Sequence, residues 1–530
     1  MPTILDRMPH PSFTDRLERV VIHSAAGRWL QARRTKLGAR RAPLHWTNMF
    51  GVIALACVFV LFVTGVILMS AYAPSSGAVT YHGPYVPLAG AEMSKALEST
   101  LFISFEMPGG ILLRQTHHWA ALLLPAAIML QLVVAFFTGA FRRPRRLSWL
   151  LLFGLLIAAL LGGWSGYALP DDMLSGTGLR IVEGIMLGIP VIGTWLSRLL
   201  FGGEFPGQII ENLYPLHLGA GVLLVVLLIW RWRDAYAHEP AQFPGNDRTV
   251  PAWPNFAVRA GGLFAATTGL LFLIGGTVTI APVWLYGPAS PGDASAGSQP
   301  DWYTGFLDGA LRLVPPGWEF EWLDRTWTLA VIVPLLVVGA FLFLVAVYPF
   351  VEEWVSGDSR EHHTLDRPRN VPIRTGIGVA GIVFFGVLWG AGGADVIATQ
   401  LSFPLEGVIT TFQVLVPLGP IVAFDVTRRV CVALQKKERE MLLHGYETGR
   451  IVRLPGGGYL EVHRELDAQD RDRLVGPAPV EPFVARPDRD GRVHLVSRVR
   501  ARASRFFHQD RLTPLGGQSR PALRAGEQSR

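Results

Sequence analysis

The chain has only two cysteines in 530 residues, Cys57 and Cys431. They fall in the first and last of its apolar stretches, so they support no disulfide framework, and two thiols cannot hold an iron–sulfur cluster. Charge is scarce as well. Only 17% of residues are charged against 50% hydrophobic, and the mean hydropathy is +0.33. That composition excludes a set of soluble domains and points to a polytopic membrane protein. No internal repeat stands out, and no broken apolar helices, which are the usual marks of a transporter. Residues 1–45 hold nine Arg or Lys and no apolar run of suitable length, so no cleavable leader is expected.

What the sequence does have is eight apolar stretches of spanning length, near 46–72, 111–138, 147–169, 208–234, 257–281, 326–352, 374–396 and 407–433. The expected fold is all-α, a membrane bundle of eight transmembrane helices. Basic residues alternate between its loops. Arg7 to Arg41 precede the first span. Arg142, Arg143, Arg145 and Arg146 follow the second, Arg231, Arg233, Arg248 and Arg259 surround the fourth-to-fifth loop, and Arg360, Arg367, Arg369 and Arg374 lie between the sixth and seventh. The other loops hold Lys95, Arg180, Arg198, Arg312 and Arg325. The positive-inside rule then puts both termini in the cytoplasm of a cell-membrane protein. The net charge of +7 belongs to the inner loops and the tail. It implies contact with anionic membrane lipid and not with nucleic acid.

The organisation follows from these runs: a basic N-terminal segment (1–45), a four-span core (46–234), a further four-span region (235–433) with an outer loop at 282–325, and a tail (434–530). The tail is rich in Arg, Asp, Gly and Pro, and is expected to be cytoplasmic and largely disordered. The outer loops 73–110, 170–207 and 282–325 are long. The last two carry short apolar stretches between Gly/Pro turns, MLGIPVIGTWL and LRLVPPGWEF, which predict short surface helices covering a site.

Two histidines stand at matching depth in the second and fourth spans, in RQTHHWAALLL and ENLYPLHLGAG. An ionisable side chain inside a span is costly and usually functional. His117 and His217, facing each other across a bundle, form an axial pair for a heme iron. Arg114 lies one turn outward of His117, where it can meet a propionate. Neighbours on a helix point about 100° apart, so of His117 and His118 only one is expected to face the shared pocket. Gly51 and Gly65 in the first span and Gly166 in the third leave room for a flat macrocycle or a close helix. A helix-packing role for the histidines, with hydrogen-bonded partners, is the alternative.

Together the stretches RQTHHWAA, FFTGAFRRPR, GYALPDDMLSGTGLR, GIPVIGTWL, LYPLH, QFPG and SAGSQPDWY resemble cytochrome b of quinol–cytochrome c reductases, in its long actinobacterial form. The similarity runs from about residue 20 to 430. The resemblance implies heme b between the second and fourth spans, with His117 and His217 as iron ligands and Arg114, Gly65 and Gly166 around it. It implies a quinol-oxidising pocket at the outer face. Pro300, Asp301, Trp302 and Tyr303 match the family's four-residue quinol motif, with Asp where Glu is usual. Quinol oxidation releases protons, and Asp301, with Tyr303 beside it, is the expected acceptor, while Pro300 and Trp302 contact substrate. Implied partners are menaquinol, a Rieske iron–sulfur subunit and a cytochrome c subunit, in a complex containing a homodimer.

The chain departs from that pattern on the inner side. The family carries a second heme, bound by histidines 14 or 15 residues further along the same two spans, roughly 21 Å away. Here those positions are Gln131, and Arg231 or Trp232. Neither Gln nor Arg nor Trp is a suitable iron ligand. The family's Arg three residues after the second-span inner His is Val134, and a third-span Gly is Leu152. A ligand pair, a propionate partner and a steric gap are altered together, so one heme is expected. Three functions compete: a working cytochrome b subunit of a menaquinol–cytochrome c reductase, a non-catalytic or regulatory paralogue with one heme and no complete bifurcated path, and a transporter relaying protons through the histidines.

Overall fold

A long apolar run in lipid satisfies its backbone only as a helix. Among the described residues of this computed structural model, eight helices are long and apolar enough to cross a membrane. The structure describes residues 24, 32, 35, 38, 40–43, 45–202, 208–243, 249–289, 299–315, 317–474, 480–487 and 492–512. Most of the basic N-terminal segment, Arg248, part of QFPG and the first residues of SAGSQPDWY lie outside them.

Besides the short helices Val283–Tyr286, Ala394–Leu401 and Ala468–Leu474, the helices in chain order are α1 (Phe50–Met69), α2 (Lys95–Phe105), α3 (Gly110–Phe137), α4 (Arg146–Ala168), α5 (Met173–Leu187), α6 (Gly193–Phe201), α7 (Ile209–Ala237), α8 (Ala257–Thr277), α9 (Gly305–Arg312), α10 (Leu329–Ser356), α11 (Pro372–Gly392), α12 (Leu405–His444) and α13 (Leu495–His508). Of these α2, α5, α6, α9 and α13 are too short to span. In the core α1 packs on α3, α4 on α7, and α8 against both α1 and α3. In the second region α11 lies along α12.

The long outer loops hold the short helices expected of them. Ser94 caps α2 by accepting from Leu97 N, and Asp172 caps α5 by accepting from Leu174 N. Both caps satisfy an amide left without a partner in a first helical turn. The loop after α9 forms an antiparallel ribbon, Glu319–Trp322 with Arg325–Thr328, that leads directly into α10.

The arginine-rich loops meet on the opposite face. The strand Arg41–Pro43 pairs with Thr249–Pro251, and Arg40 donates to the carbonyls of Ala235 and His238 at the end of α7. Arg374 is 1% exposed; it donates to Asp366 Oδ2 at 2.7 Å and to both carboxylate oxygens of Glu352. Arg142 pairs with the other Asp366 oxygen at 2.9 Å. Buried charges persist only when paired on every side, and this network joins the end of the core to α10 and α11.

Two expectations change at the C-terminal end. The last span does not stop near 433. The stretch QKKEREMLLH is made of strong helix formers, so α12 runs to His444 and ends where Gly445 takes a positive φ of 90°. Nor are the described parts of the tail without structure. Tyr446–Arg453 and Tyr459–Arg464 form a hairpin, and α13 folds back onto the bundle with Phe507 4% exposed against Val371 and Ile373. One buried aromatic residue, Phe507, anchors a segment whose overall composition is polar.

The Arg374 network yields a test. Arg374→Gln strands two buried carboxylates, and the expected loss is about 3–5 kcal/mol of stability. Thermal unfolding in detergent should show it, while Arg429→Gln, at a side chain 76% exposed, should stay within about 0.5 kcal/mol of the parent.

Candidate functional site

His117 on α3 and His217 on α7 face each other, their ring centroids 6.3 Å apart and their planes inclined by 58°. Each ring is held through Nδ1. His117 Nδ1 lies 2.9 Å from Thr64 Oγ1, and that hydroxyl already donates to Val60 O at 2.6 Å, so it accepts from the ring. His217 Nδ1 donates to Gly162 O at 3.0 Å and lies 3.2 Å from Ser165 Oγ, which itself donates to Leu161 O. In both rings the free lone pair is therefore on Nε2. That is the tautomer a metal ligand needs. Two metal–nitrogen bonds of about 2 Å each fit between the rings at this spacing.

The glycines fit the same picture. A Cβ on Gly65 would lie 3.2 Å from His117 Cε1, and one on Gly166 only 2.7 Å from His217 Cε1. Both glycines thus admit the rings themselves. Each follows a hydroxyl residue, Thr64–Gly65 and Ser165–Gly166, so each helix offers a paired seat for an imidazole. Sequence reading found the glycines and missed the hydroxyls, although the repeated hydroxyl–glycine dipeptide was there to be seen.

The rings open into a cavity of about 450 Å³ with mostly apolar walls. Arg114 lines it. Its Nη2 donates to Ala281 O at 3.0 Å, and its buried Nε has no partner among the described residues. An unpaired guanidinium nitrogen beside the rings suits a propionate, so the residues present fit a heme. Asp172 and Asp301 also line the cavity, with Pro170 and Leu174 from the start of the second outer loop and Ala281, Val283 and Tyr286 from the third. Asp171 and Asp172 join these loops through an Asp172–Pro288 bridge. Burial pushes the Asp171 carboxyl up to about 6 and raises that of Asp172 as well.

His118 does not point away from the pocket as expected. Both neighbouring histidines line the cavity, on different walls, because the site wraps around α3. His118 Nε2 lies 3.1 Å from each oxygen of Asp301, and Tyr303 donates to Asp301 Oδ2 at 2.9 Å. Burial and the nearby carboxylate push the Tyr303 phenol well above its ordinary range, so it stays a donor. Of the four-residue motif only Asp301 lines the cavity. Tyr303 packs where Gly163 leaves space, and Trp302 donates to Leu122 O at 3.2 Å and accepts from Trp389.

Towards the arginine-rich face the cavity stops at Val58, Leu124, Ala159 and Leu224, which belong to one buried apolar cluster. Ile128, Leu132, Leu152 and Leu155 continue that cluster, and Leu152 is 1% exposed. Gln131 faces Gly51, its Nε2 3.1 Å from where a Cβ would stand. Arg231 is half-buried, with its Nε unpartnered among the described residues, and Trp232 turns outward at 62% exposure.

A membrane bundle that aims two neutral imidazoles at one gap, beside a cavity with a buried carboxylate, is the architecture of a membrane-bound electron-transfer cytochrome. Comparison with known proteins agrees. The family profile "Cytochrome b(N-terminal)/b6/petB" matches residues 122–288. The chain is 42% identical to the cytochrome bc1 complex cytochrome b subunit of Streptomyces coelicolor, over 88% of each chain. It is 46% identical to that of Mycobacterium tuberculosis, over 81% of this chain and 79% of the other. A solved structure titled "Hyperthermophilic respiratory Complex III" superposes with a TM-score of 0.55 at 17% identity, over 77% of this chain and all of that one, and supports the fold. The chain belongs to the family of actinobacterial cytochrome bc1 complex cytochrome b subunits, and heme b follows from that family.

If these two rings hold the heme, their supports set its retention. Gly166→Val drives side-chain atoms into His217 and should give heme-free protein. Thr64→Val removes the acceptor for His117 Nδ1–H and should weaken heme affinity by about 10–100-fold, read by transfer to apomyoglobin. Unchanged heme retention in both variants would remove His117 and His217 as its ligands.

Proposed function

We propose that this chain is the cytochrome b subunit of a menaquinol–cytochrome c reductase and carries one heme b, on the outer side, between His117 and His217. The observation that carries the single-heme reading is the contrast between the two halves of the core. The outer half has two seated imidazoles around a cavity. The inner half is filled by Leu132, Leu152, Leu155 and their neighbours, with Gln131 and Arg231 where ligands would stand.

The outer cavity suits a quinol. Its walls are mostly apolar, and Asp301 is among its few polar groups, with Arg114, His118 and Asp172. His118 and Tyr303 hold the Asp301 carboxylate from two sides, leaving it positioned to take a proton from a quinol hydroxyl. Arg114 would balance the acidic groups of a heme held by the two rings, and that heme would supply a one-electron acceptor. The outer loops contribute Asp172, Ala281, Val283 and Tyr286 to the cavity walls. By the family's usage the partners are a Rieske iron–sulfur subunit and a cytochrome c subunit, in a complex containing a homodimer. The arginine-rich face is cytoplasmic, with both termini on that side, by the positive-inside rule.

A second reading draws on the same filled inner half. Among the described residues no second ligand set lies between the outer site and the arginine-rich face. A non-catalytic or regulatory paralogue that keeps the scaffold and one heme is the second reading, and turnover decides between the two.

Pyridine hemochrome analysis of the purified chain should give about one heme per polypeptide, and His217→Ala should abolish it; two hemes per chain contradict the single-site reading. Asp301→Asn should slow reduction of the heme by added menaquinol about 100-fold without changing heme content. Equal rates in variant and parent remove Asp301 from the reaction, and no reduction in either supports the non-catalytic paralogue.

A further inference from the structure

We propose that α13 is a membrane-surface helix whose outward face binds the anionic lipid of the leaflet on the arginine-rich side. The helix is fixed to the bundle by its other face. Ser504, Phe507 and His508 are buried. Arg500 donates to Trp354 O at 2.7 Å and stacks 4.1 Å over Phe483. Just beyond the helix, Arg428 holds Asp510 at 2.5 Å, and Gln435 donates to Asp510 O. These contacts settle which face is left over, so the remaining residues cannot turn inward.

That remaining face is both apolar and basic. Leu495, Val499 and Phe506 are 74%, 51% and 45% exposed, and Val496 is 66% exposed. Positions 495, 499, 502 and 506 follow the helical repeat along one side. Arg498, Arg502 and Arg505 are exposed beside them, and none forms an ion pair among the described residues. The helix LVSRVRARASRFFH contains no acid. A row of large apolar side chains flanked by arginine is unfavourable in water and suits a lipid surface carrying negative headgroups.

The fold places this face at the right depth. The Phe506 ring stacks with that of Phe424 on α12, with centroids 6.3 Å apart. Phe424 lies nineteen residues after Leu405, where α12 begins on the opposite side, which is about 28 Å along the helix. The hydrocarbon core of a bilayer is about 30 Å thick, so Phe424 marks its far edge. Arg428, which holds Asp510, stands one turn beyond. The charge of the face, its apolar row and its continuity with two spanning helices together select a lipid surface over a protein partner.

The test uses the full-length chain in nanodiscs. Cys57 and Cys431 are buried, so Val499→Cys can be labelled selectively with a nitrobenzoxadiazole fluorophore. Leu495→Cys is the second site should the first variant fold poorly, with heme absorbance as the check of folding. In discs of phosphatidylcholine with one quarter phosphatidylglycerol, the emission should shift to the blue and be quenched by headgroup-region spin-labelled lipid. In pure phosphatidylcholine the effect should weaken, and replacing Arg498, Arg502 and Arg505 by Gln should weaken anionic binding roughly fivefold per arginine. Water-like emission in both lipids overturns the proposal. So does equal quenching with and without phosphatidylglycerol. A label shielded from water and lipid quenchers alike assigns the face to a protein or a second copy. None of these readings depends on heme number or quinol turnover, so failure here is distinct from failure of the reading above.

Discussion

A neutral imidazole has one free lone pair, and the partner of its other nitrogen decides where that lone pair points. Thr64 and Gly162 make that decision for His117 and His217, and both turn Nε2 into the gap between α3 and α7. Much else in the outer half follows from keeping two such rings apart and aimed at each other. Gly65 and Gly166 are small because the rings lie against them. Arg114 sits one turn outward with a nitrogen to spare, and the loop segments around Asp172 and Ala281 line the space above. Left without a shared ligand, such an arrangement exposes two polar groups in an apolar setting, so it is costly unless something uses it.

The inner half obeys the opposite rule. Where no group occupies a gap in a bundle, side chains fill it, since interiors pack at near-crystalline density. Leu132, Leu152, Leu155 and Ile128 do so here, and Gln131 settles against Gly51. Gln131 stands against Gly51 where, on the single-heme reading, the family's inner imidazole would lie.

Much of this was legible in the sequence. Apolar runs and alternating arginines marked the spans, since both properties are local and additive. The histidine pair was legible because ionisable residues are so rare in spans. What escaped was long-range or geometric. Thr64 and Ser165 look like ordinary small residues of a packed helix, and only the fold brings each under an imidazole. His118 was expected to face away, yet Asp301 arrives from a loop 183 positions further on and meets it. The extension of α12 was readable from helix propensity, but the change from apolar to charged residues suggested an end. The docking of α13 depended on Phe507 reaching Val371 and Ile373, which no local pattern reports.

On the arginine-rich face the Arg374–Glu352–Asp366 network and the docked α13 knit the second region to the core. The central claim is thus an asymmetry: one half of the bundle built to hold a heme, the other packed shut. An electron cryomicroscopy map of the purified chain tests it most directly. The account predicts a single macrocycle density bridging His117 and His217, with continuous side-chain density around Gln131, Leu152 and Arg231. A second macrocycle in the inner half, whatever its ligands, would contradict it.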